Sequence, residues 1–504
     1  MNIQSFLEHH GILRNPFAEE DAQTDPVFKE HCIISAYHPV WDKVYGDPSE
    51  PATAIVFGPK GSGKTAMRLQ IDRHLASYNR EHPARRVYVI RYDDFNPFLD
   101  HFCERLSWRK SKKPERVLDA WRLWDHMDAI LCIGTTQLID QTLASDDDVA
   151  AAAEDSPMFK ASRVHGDDLR KLDRTTARDL LLLACCYDQS TSASFTGRWE
   201  QFRRKLGYTN WYVPWDFWLG IVATVVSVVL VGYLFRTERV VWQTAAWLAP
   251  LLSVIGFAPY LWRWIRCQRA AMGVRRHMRV GKREVGSLRK VLMRFPPSEL
   301  ASQPLPRFSR TDDRFELLTK LQMATRKLGF AGTIVLLDRV DEPHMTGGKP
   351  ELMRRFVWPL LDNKLLKHPG LGLKMMLPQE LHRDVERETT EFHERARLDK
   401  QNVIPAFAWT GESLYDLARA RMLACATEGG APEPKKLFDE QIGYARLLAV
   451  FQSLRVPRHL FRFLYRVLVE HCNKFSDAEP HYTIDSQTFE SVLAVYLRDM
   501  ESSV

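Results

Sequence analysis

Eight cysteines in 504 residues are too few and too scattered for a disulfide scaffold, and none forms a CxxC pair. That spacing excludes a staple-built secreted domain and a paired-ligand zinc site, and points to reduced thiols in a cytosolic body. No HExxH occurs, so a helical zinc-hydrolase arrangement is missing too. The first thirty residues hold no long apolar run, being broken by Glu8, His9, His10, Glu19, Glu20 and Asp21, which is not the pattern of a signal peptide. There is no repeat of solenoid length. A guanine-reading NKxD is absent as well, because Asn363-Lys364 is followed by Leu365-Leu366.

What is present fits a large folded chain. Apolar residues make up 45% and charged residues 26%, enough for a sizeable core in two to four units. The net charge of +7 suits an anionic partner, lipid headgroups or nucleic acid, without choosing between them.

The sharpest motif is Gly58-Pro59-Lys60-Gly61-Ser62-Gly63-Lys64-Thr65, which fits GxxxxGK[ST]. Thr53 to Phe57 reads as a buried strand before it, and Thr65 to about Tyr78 as a helix after it. Glycines let successive N–H groups turn inward toward phosphate oxygens, and the helix start adds its positive dipole end. Lys64 is expected between β- and γ-phosphate oxygens, and the Thr65 hydroxyl on Mg²⁺. With no guanine motif, ATP is the expected nucleotide.

Such a loop needs a second, carboxylate-bearing strand. Gly332 to Leu337 is apolar and runs into Asp338-Arg339-Val340-Asp341-Glu342. Asp338 is expected to hold Mg²⁺, directly or through water. Glu342 is the candidate for orienting and deprotonating the attacking water, with Asp341 as the alternative. Arg86 to Tyr92 and Leu371 to Leu377 read as further strands. Leu118 to Leu143 and Asp179 to Leu206 read as long helices, and Ser145 to Asp173 as a flexible acidic connection.

Two uncharged runs lie between the motifs, Phe217–Phe235 and Val240–Trp262. As helices they would span about 28 and about 34 Å, close to a bilayer core of about 30 Å. Trp211, Tyr212, Trp215 and Trp218 cluster at one entrance, and Tyr260, Trp262 and Trp264 at the matching exit, like an interfacial aromatic belt. Arg203, Arg204 and Lys205 precede the pair, and eleven Lys/Arg against one acidic residue fill 263–294 after it. This basic excess predicts both ends in the cytoplasm at an inner membrane, with contact to anionic lipid; a nucleic-acid surface is the alternative. The span holds few polar residues (Thr224, Ser227, Gln243, Thr244, Ser253) and no ionisable one, which argues against a transport route.

In the C-terminal part, Pro457 suits the first turn of a helix. Arg458, at its start, is a candidate to reach a γ-phosphate; Arg462 and Arg466 share its face. Arg354, Arg355, Arg395 and Arg397 are unranked candidates for an arginine finger.

Together these motifs resemble the STAND/AAA+ branch of P-loop ATPases. Asp338-Arg-Val-Asp341-Glu342 looks like its Walker B, the stretch from Trp409 through Leu414 to Arg421 looks like part of its C-terminal region, and Val456-Pro457-Arg458 looks like its sensor-2 entry. An apolar hairpin between Walker A and Walker B is similar to the KAP group in architecture. The resemblance implies a regulated ATPase switch, a homo-oligomer, and a role in bacterial signalling or phage exclusion, with an unidentified protein partner. The expected fold is α/β: a mostly parallel sheet flanked by helices, with an inserted transmembrane hairpin and a C-terminal helical lid. The expected organisation is an N-terminal segment (1–50), a first NTPase part (51–144), a helical linker (145–206), the hairpin (207–264), a basic juxtamembrane segment (265–328), a second NTPase part (329–410) and the lid (411–504).

Overall fold

A computed structural model describes all residues other than 35, 108–112, 146–156, 165, 191–193, 210–214, 238–241, 302, 477 and 503–504. Trp211 and Tyr212 of the aromatic cluster, residue 239 of the short connector and much of the acidic connection therefore lie outside the described residues. The strands are β1 (Ala54–Gly58), β2 (Arg86–Tyr92), β3 (Phe330–Leu337), β4 (Leu371–Pro378) and β5 (Asn402–Ile404). The helices used below are α1 (Lys64–Glu81), α2 (Leu123–Leu143), α3 (Arg174–Tyr187), α4 (Trp215–Arg236), α5 (Trp242–His277), α6 (Asp312–Lys327), α7 (Gly411–Ala424), α8 (Tyr444–Leu454), α9 (Pro457–Lys474) and α10 (Ser486–Ser502).

The chain forms two compact units. One comprises Met1–Phe95, Ala153–Ser162 and Ala331–Val504; the other comprises Asn96–Ala152 and Arg163–Phe330. The first carries a single sheet in the order β2-β3-β4-β1-β5. β1 pairs in parallel with β4 and with β5, and β3 in parallel with β4. The central strands are largely apolar because both of their faces are covered: every residue of β1 and of β4 is buried. Met375 is the common register mark, lying opposite Ile55 on one side and Leu337 on the other. The C-terminal ends of β1 and β3 therefore open on the same sheet edge, two strand spacings or roughly 10 Å apart.

Strand β4 buries a lysine among its apolar residues. Lys374 is 1% exposed, and its ammonium donates to Tyr45 O at 3.1 Å. Burial lowers its pKa from the usual 10.5 to about 8. The folded state therefore resists a charge that the unfolded chain carries freely. The penalty is full below pH 8 and fades as the pH rises toward 10.5. Lys374→Met is expected to stabilise the protein at pH 7 by on the order of 2 kcal/mol. Thermal unfolding across pH checks this: the gain over wild type should shrink on going from pH 7 to pH 10.

The sheet unit also holds α7–α10, packed into one hydrophobic core with Phe6, Leu7, Ile12 and Phe17 of the N-terminal segment. Met1–Glu50 is therefore part of the helical layer, which its mixed sequence does not announce. β5 is unanticipated; at three residues it is too short to show a period.

The second unit is helical among its described residues. The helix expected over Leu118–Leu143 is instead two: one ends at Ala120, and α2 begins at Leu123. Trp121 and Arg122 are extended between them, and the Asp125 carboxylate accepts the Arg122 N–H at 2.9 Å, starting the second helix afresh. The span Asp179–Leu206 is likewise divided, into α3 and a helix over Phe195–Lys205. Within the acidic connection, short helices form at Pro157–Ala161 and Gly166–Arg170. An ion pair wholly out of solvent, Asp128 with Arg314, ties α2 to α6, and Tyr187 of α3 donates to the same carboxylate at 2.8 Å.

Among the described residues one helix, α4, is long and apolar enough to cross a membrane. The second apolar run continues as α5 without a break into the basic region, reaching His277, with Pro250 and Pro259 inside it. α4 and α5 run antiparallel and close. Phe217 packs on Tyr260 with ring centroids 5.5 Å apart, and a Cβ added at Gly256 would stand 2.4 Å from that of Ala223. Small residues permit this approach, as in helix pairs packed within lipid.

Candidate functional site

β1 ends at Gly58, and the chain turns through two residues of positive φ, Gly61 (83°) and Gly63 (95°), before α1 starts at Lys64. Both turns need glycine, and at Gly61 a Cβ would also meet that of Arg458 at 2.8 Å. The loop is braced from outside: Trp409 Nε1 donates to Ser62 O at 2.8 Å, and Phe407 N to Phe57 O at 2.7 Å. His38 stacks on Phe407 with ring centroids 3.9 Å apart. Its Nδ1 accepts from Val40 N at 3.2 Å, so Nε2 carries the proton and donates to Ala408 O at 2.9 Å. Burial pushes His38 down to about 4, keeping it neutral at pH 7.

The Lys64 ammonium folds back onto its own loop, donating to Gly58 O at 2.7 Å and Pro59 O at 2.9 Å. Burial lowers its pKa, while Asp338 and Asp341 work in the other direction. Asp338 follows β3 and is 2% exposed. Burial raises its pKa, against the nearby Arg68 guanidinium and the Thr65 hydroxyl. Arg68 pairs with Asp93 at 3.0 Å and approaches Asp338 Oδ2 at 3.4 Å without hydrogen-bond geometry, leaving Oδ2 buried and without a donor. Ser62 Oγ is a second buried atom without a partner. Oxygen atoms left open next to the Thr65 hydroxyl suit a hard cation. Thr65 and Asp338 fit that role, 273 positions apart in sequence (338 − 65).

The chain after Asp338 is shaped by Arg339, whose φ of 64° is unusual for a side-chain-bearing residue. Its guanidinium lies 3.1 Å from Glu342 Oε1 and bonds Gln23 of the N-terminal segment. Asp341 turns its carbonyl inward to accept Gly348 N at 3.1 Å. Burial raises the Glu342 pKa, against the Arg339 charge and with the neighbouring Asp341 and Asp338 carboxylates.

These groups share a cavity of about 350 Å³. Its polar lining includes Lys60, Gly61, Gly63, Lys64, Thr65, Asp338, Asp341 and Glu342; Gly58, Pro59 and Ser62 of the same loop do not line it. Its other wall is apolar, with Phe28, Met67, Leu417 and Phe461. Arg458 of α9 closes it: its backbone N–H donates to Gly61 O at 3.3 Å, and its side chain lies 3.8 Å from Glu20. Glu20 also pairs with Arg462 at 2.5 Å. Arg466 pairs instead with Asp499 at 3.0 Å on the surface. None of Arg354, Arg355, Arg395 and Arg397 lines the cavity. Arg354 is engaged with Glu388, and Arg397 takes a left-handed conformation after a helix end. Glu20, Phe28 and His38 also line the cavity; they carry no local motif and reach it through tertiary packing alone. No protein-family model, no curated protein and no solved structure matches the chain.

Proposed function

We propose that the chain is a membrane-anchored P-loop ATPase that binds ATP with Mg²⁺ and hydrolyses it slowly as a regulated switch. The observation that carries this is the meeting of the phosphate-type loop and the acidic end of β3 in one cavity that also has apolar lining residues. In this reading the loop N–H groups and the Lys64 ammonium hold the phosphates. Lys64 exchanges two backbone carbonyls for phosphate oxygens. Bound Mg²⁺ supplies charge neutralisation on the phosphates, with Thr65 and Asp338 as its protein ligands. Glu342, its carboxylate made more basic by burial, orients and deprotonates water.

The lid reads the triphosphate through Arg458. Its guanidinium leaves the shared Glu20 carboxylate for the γ-phosphate, while its backbone bond to Gly61 carries the change into α9. This follows the STAND/AAA+ resemblance, with the KAP-like hairpin as the membrane element and a homo-oligomer as the working state. The membrane part is supported by the exposed apolar surface of α4, where Val222, Val225, Val229 and Tyr233 are each more than half exposed. So large an apolar face calls for lipid or protein cover. Phosphate release from ATP by the purified full chain tests the reading. Turnover on the order of 0.01–1 s⁻¹ that needs Mg²⁺ is expected for a switch. Absence of both nucleotide binding and turnover in lipid and in detergent would refute it.

A further inference from the structure

At the foot of α4 and α5 lies a second cavity, of about 210 Å³, that the nucleotide chemistry does not use. Trp215 and Asp216 open α4 on one side of it, and Trp262, Arg263 and Arg266 occupy one turn of α5 on the other. Arg307 closes it from the segment that follows. Arg263 is 7% exposed; among the described residues Asp216 is the one carboxylate against it, with Nε 3.1 Å from Oδ2, and its Nη1 is buried with no hydrogen-bond partner. A guanidinium offers five N–H donors in a planar fork, and leaving one buried without an acceptor is costly. Three guanidiniums face one carboxylate, so the cavity carries an excess of positive charge. An anion with several oxygen acceptors answers both features, and phosphate matches the fork best.

The walls say which phosphate. Trp215 and Trp262 are 51% and 61% exposed, and next to them Trp218, Leu219 and Leu261 continue the bare apolar surface of the two helices. Indole rings beside arginines at the end of an apolar helix are the arrangement found at headgroup depth. A free phosphate or a nucleic-acid backbone would use the arginines but not this apolar rim.

We propose that this cavity binds the phosphodiester headgroup of one anionic phospholipid per chain. Arg263 holds the phosphate inside, Arg266 and Arg307 flank its mouth, and the acyl chains lie along the exposed face of α4. The inference rests on the membrane reading above and adds to it a defined lipid site.

Native mass spectrometry of the full chain in mild detergent tests it, titrating phosphatidylglycerol, phosphatidylcholine and inorganic phosphate separately. Wild type should retain one phosphatidylglycerol, at least about tenfold more tightly than phosphatidylcholine, and millimolar inorganic phosphate should not displace it. Arg263→Gln should lose that preference. Because that change strands Asp216, the double variant Arg266→Gln/Arg307→Gln, which keeps the buried pair, should weaken binding about tenfold. Arg276→Gln, exposed on α5 outside the cavity, should leave it unchanged. Phosphatidylglycerol binding equal in all four proteins would overturn the site, as would displacement by inorganic phosphate. Failure of the membrane reading looks different: the chain would then stay monodisperse without detergent and take up no lipid of either kind.

Discussion

Replacing Lys64 with alanine is expected to weaken ATP binding by at least about 100-fold, some 2.7 kcal/mol, and to remove measurable turnover. The ammonium sits at the foot of the loop, held between Gly58 O and Pro59 O and within the field of Asp338 and Asp341. Loop N–H groups alone would still attract an anion, but without a full charge beside the β- and γ-oxygens. The fold should survive. Burial already disfavours the Lys64 charge, so the loss of two hydrogen bonds to loop carbonyls is partly offset by the loss of that penalty. Isothermal titration with Mg–ATP, run beside thermal unfolding of both proteins, separates the two effects. Full-strength binding by the variant, or binding lost only through unfolding, would remove the loop from its assigned role.

Glu342→Gln should do the opposite: keep the nucleotide and lose the chemistry. A fall in kcat of roughly 10²–10⁴-fold is expected, with the dissociation constant for ATP changed less than about threefold. Glutamine keeps the shape and can still sit beside Arg339, which lies 3.1 Å from the carboxylate, but it cannot take a proton. Burial raises the Glu342 pKa. A base must be ionised to act, so wild-type turnover should decline as the pH falls through that raised value, and the variant should lack this limb. Asp341→Asn is the comparison that assigns the role. Its side-chain change leaves the backbone bond from Gly348 in place, so it should cost less. A larger loss in Asp341→Asn than in Glu342→Gln would exchange the two roles.

Much of this site is local in sequence, and for that reason legible. A glycine loop between an apolar strand and a helix, and an apolar strand ending in Asp338, are patterns whose physical meaning does not depend on the rest of the chain. Pro457 marks the start of α9, so the sequence alone puts Arg458 at a helix entrance, where its N–H meets Gly61 O. Other features have no local cause. Glu20 and His38 reach the cavity only because the first fifty residues pack into the core of α7–α10, and nothing in their spacing encodes that. The break at Trp121 was hidden because apolar residues continue at helical spacing across it, while the deciding bond, from Arg122 N to Asp125, is a single side-chain choice. The continuation of α5 to His277 has the converse cause, since arginines replace the apolar face and no proline follows Pro259 within the helix.

The claim on which the rest stands is that Thr65 and Asp338, far apart in the chain, grip one metal–triphosphate. Titration of ATP with Mg²⁺ and with excess EDTA, in wild type and in Asp338→Asn, measures it directly. Mg²⁺ should strengthen binding to wild type by about tenfold or more and should do little for the variant, in which the open Oδ2 has lost its charge. Equal Mg²⁺ dependence in the two proteins would mean that β3 does not hold the metal, and would contradict the account.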